Sequence, residues 1–400
     1  MKQILTFYLL LLSFPTSFGQ NLNKSSLIVF DLEKAFSRQS EVPLSKFLNS
    51  INYVTLETNP HSIIGRFAHF EVTDEYIIVR DNSIPKQILL FDRKEGKFIK
   101  SIGKYGRGPN EYSRFSYIPY DPDKRVLYAV NSLRQLLVYN LSDSDVEIIK
   151  TPDLVGSGEI IQLKKQEMSF DIMMDDKIFV GYFINPLGME KNVLALFTKD
   201  EVLKIFPNYQ ALKTMSHGVG GLMNDNHTIY RQDNKIYFLE VFSDTLFQLT
   251  RDSLIPRYYF KMGKFNVTWQ INATMDHKLG MNYFYMLGID ESTKYLFINT
   301  LFKGTQYLGY VDKLNNTVTF CKLNSSGVSA FKDDISGLLD VRPVDITEKK
   351  EMVYIIKPLD LIKWFKENPE KAAAAKKSCP WIKDIDEFSN PVIAIGSCKE

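Results

Sequence analysis

The sequence predicts an all-β fold, a six-bladed β-propeller closed by its own N-terminal strand. Three observations carry that prediction. First, short β-rich cores recur along the 400 residues: "YIIV" at Tyr76, "LYAV" at Leu127, "IFVG" at Ile178, "IYFL" at Ile236, "LFIN" at Leu296 and "VYII" at Val353. Their spacing of about 50 to 60 residues is at or slightly above the period of propeller blades. Second, further strand-like runs flank each core, so each unit reads as a small antiparallel sheet. Third, the last unit lacks a fourth strand, while an early strand has no partner in its own unit.

Within each unit the order is regular. First strands are "RFAHFEV", "FSYIPY", "SFDIMM", "HTIYRQ", "YFYMLGI" and "RPVDI". Polar turns such as "TDE", "DPDKR" and "DNK" lead into the cores. Asp and Asn favour such turns because their side chains bond nearby backbone. Third strands follow as "QILLFDR", "QLLVYNL", "NVLALFT", "DTLFQLT", "QYLGYVD" and "PVIAIGS". Five units continue into a fourth strand: "FIKSIG", "EIIKT", "VLKIF", "RYYFKM" and "TVTFCK". The sixth reaches Glu400 without one, and "INYVTLET", residues 51–58, is the strand that can complete it. Radial repetition closed in this way leaves few exposed sheet edges. A pair of β-sandwiches and a β-solenoid are the competing architectures.

The segment "PLDLIKWFKENPEKAAAAKKSCPWIKDIDEFSN" interrupts the last blade. Leu359, Ile362, Trp364 and Phe365 have helical spacing and the alanine run favours helix, so residues 359–389 read as a helical insertion packed on the propeller. At the other end, "MKQILTFYLLLLSFPTSFGQ" has a positive start, a short apolar stretch and small residues before Gln20. It reads as a signal peptide over residues 1–19, with an uncleaved anchor as the alternative. Residues 20–45 then form a leader and residues 46–400 the propeller. No cysteine lies near the cut, so the expectation is an exported chain of periplasm or cell surface, without a lipid anchor or membrane span.

Composition narrows the function. The formal net charge of +2 argues against nucleic acid, which calls for a basic stripe. The cysteines are Cys321, Cys379 and Cys398; pairing of Cys379 with Cys398 and three free thiols are both open, and the spacing fits no zinc motif. No G-x-S-x-G or H-E-x-x-H motif occurs.

The chain also resembles a known family on particular segments: "VPLSKFLNSINYVTLET", "LLFDRKEGKFIKSIGKYGRGPNEY", "DTLFQLTRDSLIPRYYFKMGKF" and the ending "NPVIAIGSCK". On these it is similar to secreted six-bladed β-propeller proteins of Bacteroidota, themselves similar to NHL-repeat propellers. The family usually has Gly where this chain has Asn110, and many relatives carry a lipid-attachment cysteine that this chain lacks. The resemblance implies the fold and no established reaction.

In a propeller, the links between blades and between second and third strands share one face. Here that face carries the long links: residues 207–226, 263–282 and 324–341, and the helical insertion. Long loops on a rigid scaffold are where binding resides. The expectation is therefore a binding or interaction protein that holds a glycan, peptide or envelope-protein partner on this face. The alternative is a metal-dependent hydrolase or lyase with its site at the central channel. "GKYGRGPNEY" reads as a blade-to-blade corner, since it lacks the Gly-Lys-Ser/Thr ending of a phosphate-binding loop. Candidate ligand contacts are Arg107 and Tyr112 in that corner, Trp269 as a stacking platform, and Arg80, Arg134 and Arg342 as bidentate clamps for an anion. His217 and His277 make a poor metal pair. Glu71, Asp171 and Asp345 fall in first-strand runs without forming a recognisable constellation. No cofactor, metal ligand set or catalytic residue is assigned.

Overall fold

The computed structural model describes residues 27–114, 119–133, 135–143, 146–150, 168–175, 177–185, 188–213, 227–240, 242–268 and 282–399. The signal-peptide expectation therefore lies outside the described residues. Six small antiparallel sheets form the ring of a six-bladed propeller. Blade one runs through Ala68–Val72, Tyr76–Asp81, Gln87–Asp92 and Phe98–Ser101 from channel to rim. Blade three is Met168–Met173, Phe179–Phe183, Asn192–Phe197 and Val202–Pro207, and blade five is Tyr285–Glu291, Tyr295–Phe302, Thr305–Asp312 and Thr317–Phe320.

The middle strands read as unbroken apolar runs because blades stack face to face and bury both sides of each sheet. Val126–Asn131 is buried at every position, as is Phe179–Phe183. Between blades one and two, Ile78, Ile88 and Leu90 meet Leu127, Ala129 and Leu137. Each of these isoleucines and leucines contributes about 1.5–3 kcal/mol on leaving water. Outer strands are half-wet, as in the intermediate–exposed alternation of Phe98–Ser101. The turns follow the residues at hand. Asp233 and Asn234 join Gln232 to Lys235 with φ of 49° and 57°, the left-handed pair of a two-residue hairpin whose twist matches its strands.

The ring closes as the missing strand requires. Asn52–Thr55 pairs antiparallel with Val392–Ser397, placing Asn52 opposite Ile395, and supplies the outer strand of blade six. Two blades depart from the regular pattern. The inner strand of blade two is split into Tyr112–Arg114 and Tyr120–Asp121, both paired with Val126–Asn131. The inner strand of blade six is only Asp345–Ile346.

The leader is part of the fold rather than a free lead-in. Ile28–Asp31 adds a fifth, parallel strand to the rim of blade four. A short helix, α1 (Leu32–Phe36), follows, capped where Asp31 Oδ1 accepts from the Lys34 backbone N–H at 2.9 Å. The chain then crosses blade five, bridging Ser40 to Cys321 and Pro43 to Lys332, before Leu48 bridges to Cys398 in blade six. Phe36 meets the rings of Phe284, Phe302, Tyr307 and Phe320 edge-on, and Phe47 is buried against Tyr295, Phe297, Tyr310 and Phe331.

The helical insertion forms α2 (Pro358–Glu367) and α3 (Pro369–Ser378), each with proline in its first turn, where the missing N–H costs nothing. Leu361, Ala372 and Ala375 turn into the core. No described helix is long and apolar enough to cross a membrane. All three cysteines are free thiols, so the expected alternative of a Cys379–Cys398 disulfide is not formed. Cys379 instead sits buried at the end of α3, in the core shared with blade six.

Candidate ligand-binding channel

A cavity of about 2430 Å³ is lined by inner-strand residues of blades one, four, five and six, by the link from blade five to blade six and by the helical insertion. The inner strands line the cavity with runs of consecutive residues, Ala68–Val72 in blade one and Leu287–Asp290 in blade five. In blade one, His69 lies opposite Arg80 in register, which puts Glu71 and Arg80 on the same side as diagonal neighbours. Blade five contributes Asp290 and blade six Asp345, and both line the same cavity.

These carboxyls have little water to stabilise a charge. Burial pushes Asp290 up to about 7. Burial first, then the negative charges of Asp290 and Glu71, push Asp345 up to about 8. Glu71 is also raised by burial, against the pull of the Arg80 guanidinium. His69 is shifted down by burial and by Arg80. Near neutral pH the channel therefore holds carboxyl groups that can donate as well as accept hydrogen bonds. Among the described residues, no three His, Cys, Asp or Glu side chains come together closely enough to hold a metal ion.

The mouth is built by α2, α3 and the link from blade five to blade six. Asp360, Lys363, Trp364 and Glu367 recur at helical spacing along α2, and all four line the cavity. An aromatic face flanked by both signs of charge thus overlooks the opening. The facing link is held by its own side chains. Asp333 accepts from the backbone N–H groups of Ile335, Ser336 and Leu338 at 3.1, 2.9 and 3.2 Å. Asn324 Nδ2 donates to Asp340 Oδ2 at 2.7 Å, and Tyr53 Oη donates to Ser336 Oγ at 2.7 Å. Such bonds pre-order a loop that would otherwise lose entropy on binding.

The residues singled out in the sequence divide. Arg80 and Arg342 do line the cavity. Arg342, however, is already committed as a clamp within the protein: Nη2 donates to Asn299 Oδ1 at 2.9 Å and Nη1 to the carbonyl of Ser329. Those bonds tie the blade-five-to-six link to blade five, so Arg342 does not offer a free two-pronged fork to an anion. Tyr112 is not at the mouth; it is 1% exposed, in the core between blades one and two. Its ring stands edge-on to Tyr139, because the inner strand of blade two begins at Tyr112 itself, at the end of the corner, and turns it inward. Arg107 is exposed on the corner, outside the cavity lining. Arg134, Trp269, His217 and His277 lie outside the described residues, as does the Asp171 side chain.

The corner itself is a structural device. Gly103 has φ +55°, and a Cβ there would meet the Tyr139 ring at 2.6 Å. The Glu111 carboxylate accepts from the Gly108 N–H at 2.9 Å and faces Lys104 Nζ at 3.3 Å, which holds it well below the usual carboxylate range. Asn131 Nδ2 and Tyr139 Oη donate to the carbonyls of Pro109 and Asn110 at 2.9 and 3.0 Å. Sequence reading missed Asp290, His69 and Trp364. Asp290 directly follows the first-strand run "YFYMLGI", and only the packed ring shows that it, Glu71 and Asp345 are buried near one another.

Comparison with known proteins comes to rest on this architecture. A putative exported protein of Bacteroides fragilis has a similar structure, with TM-score 0.61 and 13% identity over 94% of this chain and 100% of that one. A member of the DUF4221 family from Bacteroides vulgatus is similar at TM-score 0.50 and 13% identity, over 90% of this chain and 99% of that one. At such identity the likeness concerns the fold. No match is found among the curated proteins. Residues 27–397, nearly the whole described structure, match the family described as domain of unknown function DUF4934, and the chain belongs to that family.

Proposed function

We propose that this chain is an exported binding protein that holds a polar, chain-like ligand, a glycan or a peptide, in the channel mouth under its long links. A segment of an envelope protein fits the same description. The observation that carries this reading is the convergence of α2, α3 and the pre-ordered blade-five-to-six link over a wide, polar cavity on one face. Trp364 supplies a flat apolar surface, and Asp360, Lys363 and Glu367 supply donors and acceptors on either side of it. Its setting is the periplasm or the cell surface.

A thermal-shift screen of the chain from Gln20 onward, against glycans, peptides and divalent metals with and without chelator, tests it. A ligand at about 100 times its Kd adds about 2.7 kcal/mol of stability. A glycan or peptide response that Trp364→Ala removes supports the reading; silence across both classes counts against it.

A second reading draws on the protonatable carboxyls. A hydrolase or lyase working in the channel would use Asp345 or Asp290 as an acid near neutral pH. Turnover of a substrate that Asp345→Asn abolishes, with binding retained, would move the assignment to an enzyme.

A further inference from the structure

The loop-bearing face of blade one has an unusual composition. Four loops meet there: residues 61–67, 82–87, 103–110 and 132–133. They are tied together: Gln87 Nε2 donates to the Ile63 carbonyl at 2.8 Å, and the Asn82 N–H donates to the Phe67 carbonyl at 3.1 Å. Lys86 Nζ lies 5.0 Å from the centre of the Tyr105 ring, and Ser132 Oγ donates to the Arg107 carbonyl at 3.2 Å. The four loops contain no aspartate or glutamate, in a chain with 47 acidic residues. They do contain Arg66, Lys86, Lys104 and Arg107.

Large apolar side chains stand at their tips. Ile84 is 97% exposed, Leu133 67%, Phe67 63%, Ile63 58% and Tyr105 40%. Each sits on or beside a loop carrying a cation. An isolated exposed leucine needs no explanation, but five on adjoining loops form a patch of the kind that marks an interaction surface. Of the acidic groups that touch these loops, Asp81 is buried and accepts from the Gly65 and Ser83 N–H groups, and Glu111 pairs with Lys104, so the remaining exposed charge is cationic and the partner surface is anionic. Asp386 and Glu387, beside exposed Phe388, are exposed on the neighbouring segment whose Asn390 Oδ1 accepts from the Ile64 N–H.

We propose that this patch docks the propeller onto an anionic lipid surface. Protein interfaces concentrate their energy in a closely packed centre with charged residues depleted. Here the apolar groups are separate protruding tips with cations among them. Tips of that kind enter the headgroup boundary, while lysine and arginine rest on lipid phosphates. The loops are held by blade one, so the tips are presented together without a folding step. The inference goes beyond the channel reading and does not depend on what the channel holds.

The test is co-sedimentation of the chain from Gln20 onward with vesicles of phosphatidylcholine alone and of phosphatidylcholine mixed with phosphatidylglycerol. The expected result is binding to the mixed vesicles only, weakening several-fold as salt shortens the screening length. Ile84→Ser combined with Phe67→Ser should weaken it by about tenfold or more, and Arg66→Glu with Lys86→Glu should abolish it. Ile84 and Phe67 are exposed, and matching thermal melts of the variants confirm that folding is kept. Leu314→Ser, at an equally exposed leucine on the opposite face, should leave binding unchanged. Absence of binding to the mixed vesicles, or binding indifferent to the Ile84 and Phe67 substitutions, overturns the proposal. So does capture of a soluble acidic protein through these same residues when vesicles fail to bind.

Discussion

Arg93 and Glu351 face each other across the seam where the first blade meets the last. Arg93 Nη2 lies 2.7 Å from both carboxylate oxygens of Glu351, and its Nη1 donates to the Thr73 carbonyl at 2.8 Å. Both side chains are 16% exposed. The pair joins two blades that the chain also links through Asn52–Thr55, which forms the outer strand of blade six before running on into blade one.

Removing one partner leaves the other mostly buried and unpaired. Arg93→Met should destabilise by about 1–3 kcal/mol, and Glu351→Gln by a similar amount. The double substitution should cost less than the sum, as measured by urea denaturation of all four proteins in a double-mutant cycle.

The leader should be as important as a blade core. Phe47 is fully buried among four aromatic rings from blade five and the blade-five-to-six link. Phe47→Ala should cost about 3–5 kcal/mol. Deleting residues 27–50 should lower the midpoint of thermal melting and expose apolar surface, read as increased binding of a hydrophobic dye.

The glycine-rich corner should respond at Gly103 and not at Arg107. Gly103→Ala places a Cβ against Tyr139 at a backbone angle that L-residues rarely adopt, and should destabilise by about 1–3 kcal/mol. Arg107→Ala should stay within about 0.5 kcal/mol in the same melts. A reversed order would show that the corner is not primarily structural.

The channel carboxyls predict a direction for pH dependence. Asp345 and Asp290 have folded-state values of about 8 and about 7, above the ordinary 3.8 that governs the unfolded chain. Between about pH 4 and pH 8 the folded protein binds more protons than the unfolded one, so stability falls as pH rises through this window. Asp345→Asn should flatten that decline and raise the melting temperature at pH 8 more than at pH 5. An unchanged slope would show that Asp345 ionises freely in the channel.

Much of this fold was legible in single residues and short runs. The turn residues Asp233 and Asn234 and the continuous apolar strand at Leu127–Val130 are local signals, and local sterics and burial decide them. The closing strand was legible by subtraction, since blade six ran out of chain while residues 51–58 had no partner. The leader strand at Ile28–Asp31 was not. Its four residues pair parallel with Tyr258–Lys261, more than 200 positions away, and no periodicity announces such a pairing.

The candidate site was legible in part. Long links on one face pointed to the mouth, and Asp345 and Glu71 were visible as first-strand carboxyls. Arg342 and Tyr112 looked equally available, yet one is spent on Asn299 and Ser329 and the other is buried against Tyr139. Whether a polar side chain faces a ligand or its own protein depends on neighbours supplied by other blades.

The sequence alone determined the class, the number of blades, their order and the strand that closes them, because strand period, turn chemistry and the count of strands are properties of contiguous residues. Tertiary structure alone decided that Glu71, Asp290 and Asp345 share one channel, that Arg93 meets Glu351, and that the loops carrying Ile63, Ile84, Tyr105 and Leu133 meet across blades one and two. Those relationships join residues far apart in the chain, and only the geometry of ring closure sets their distances and the burial that shifts their charges.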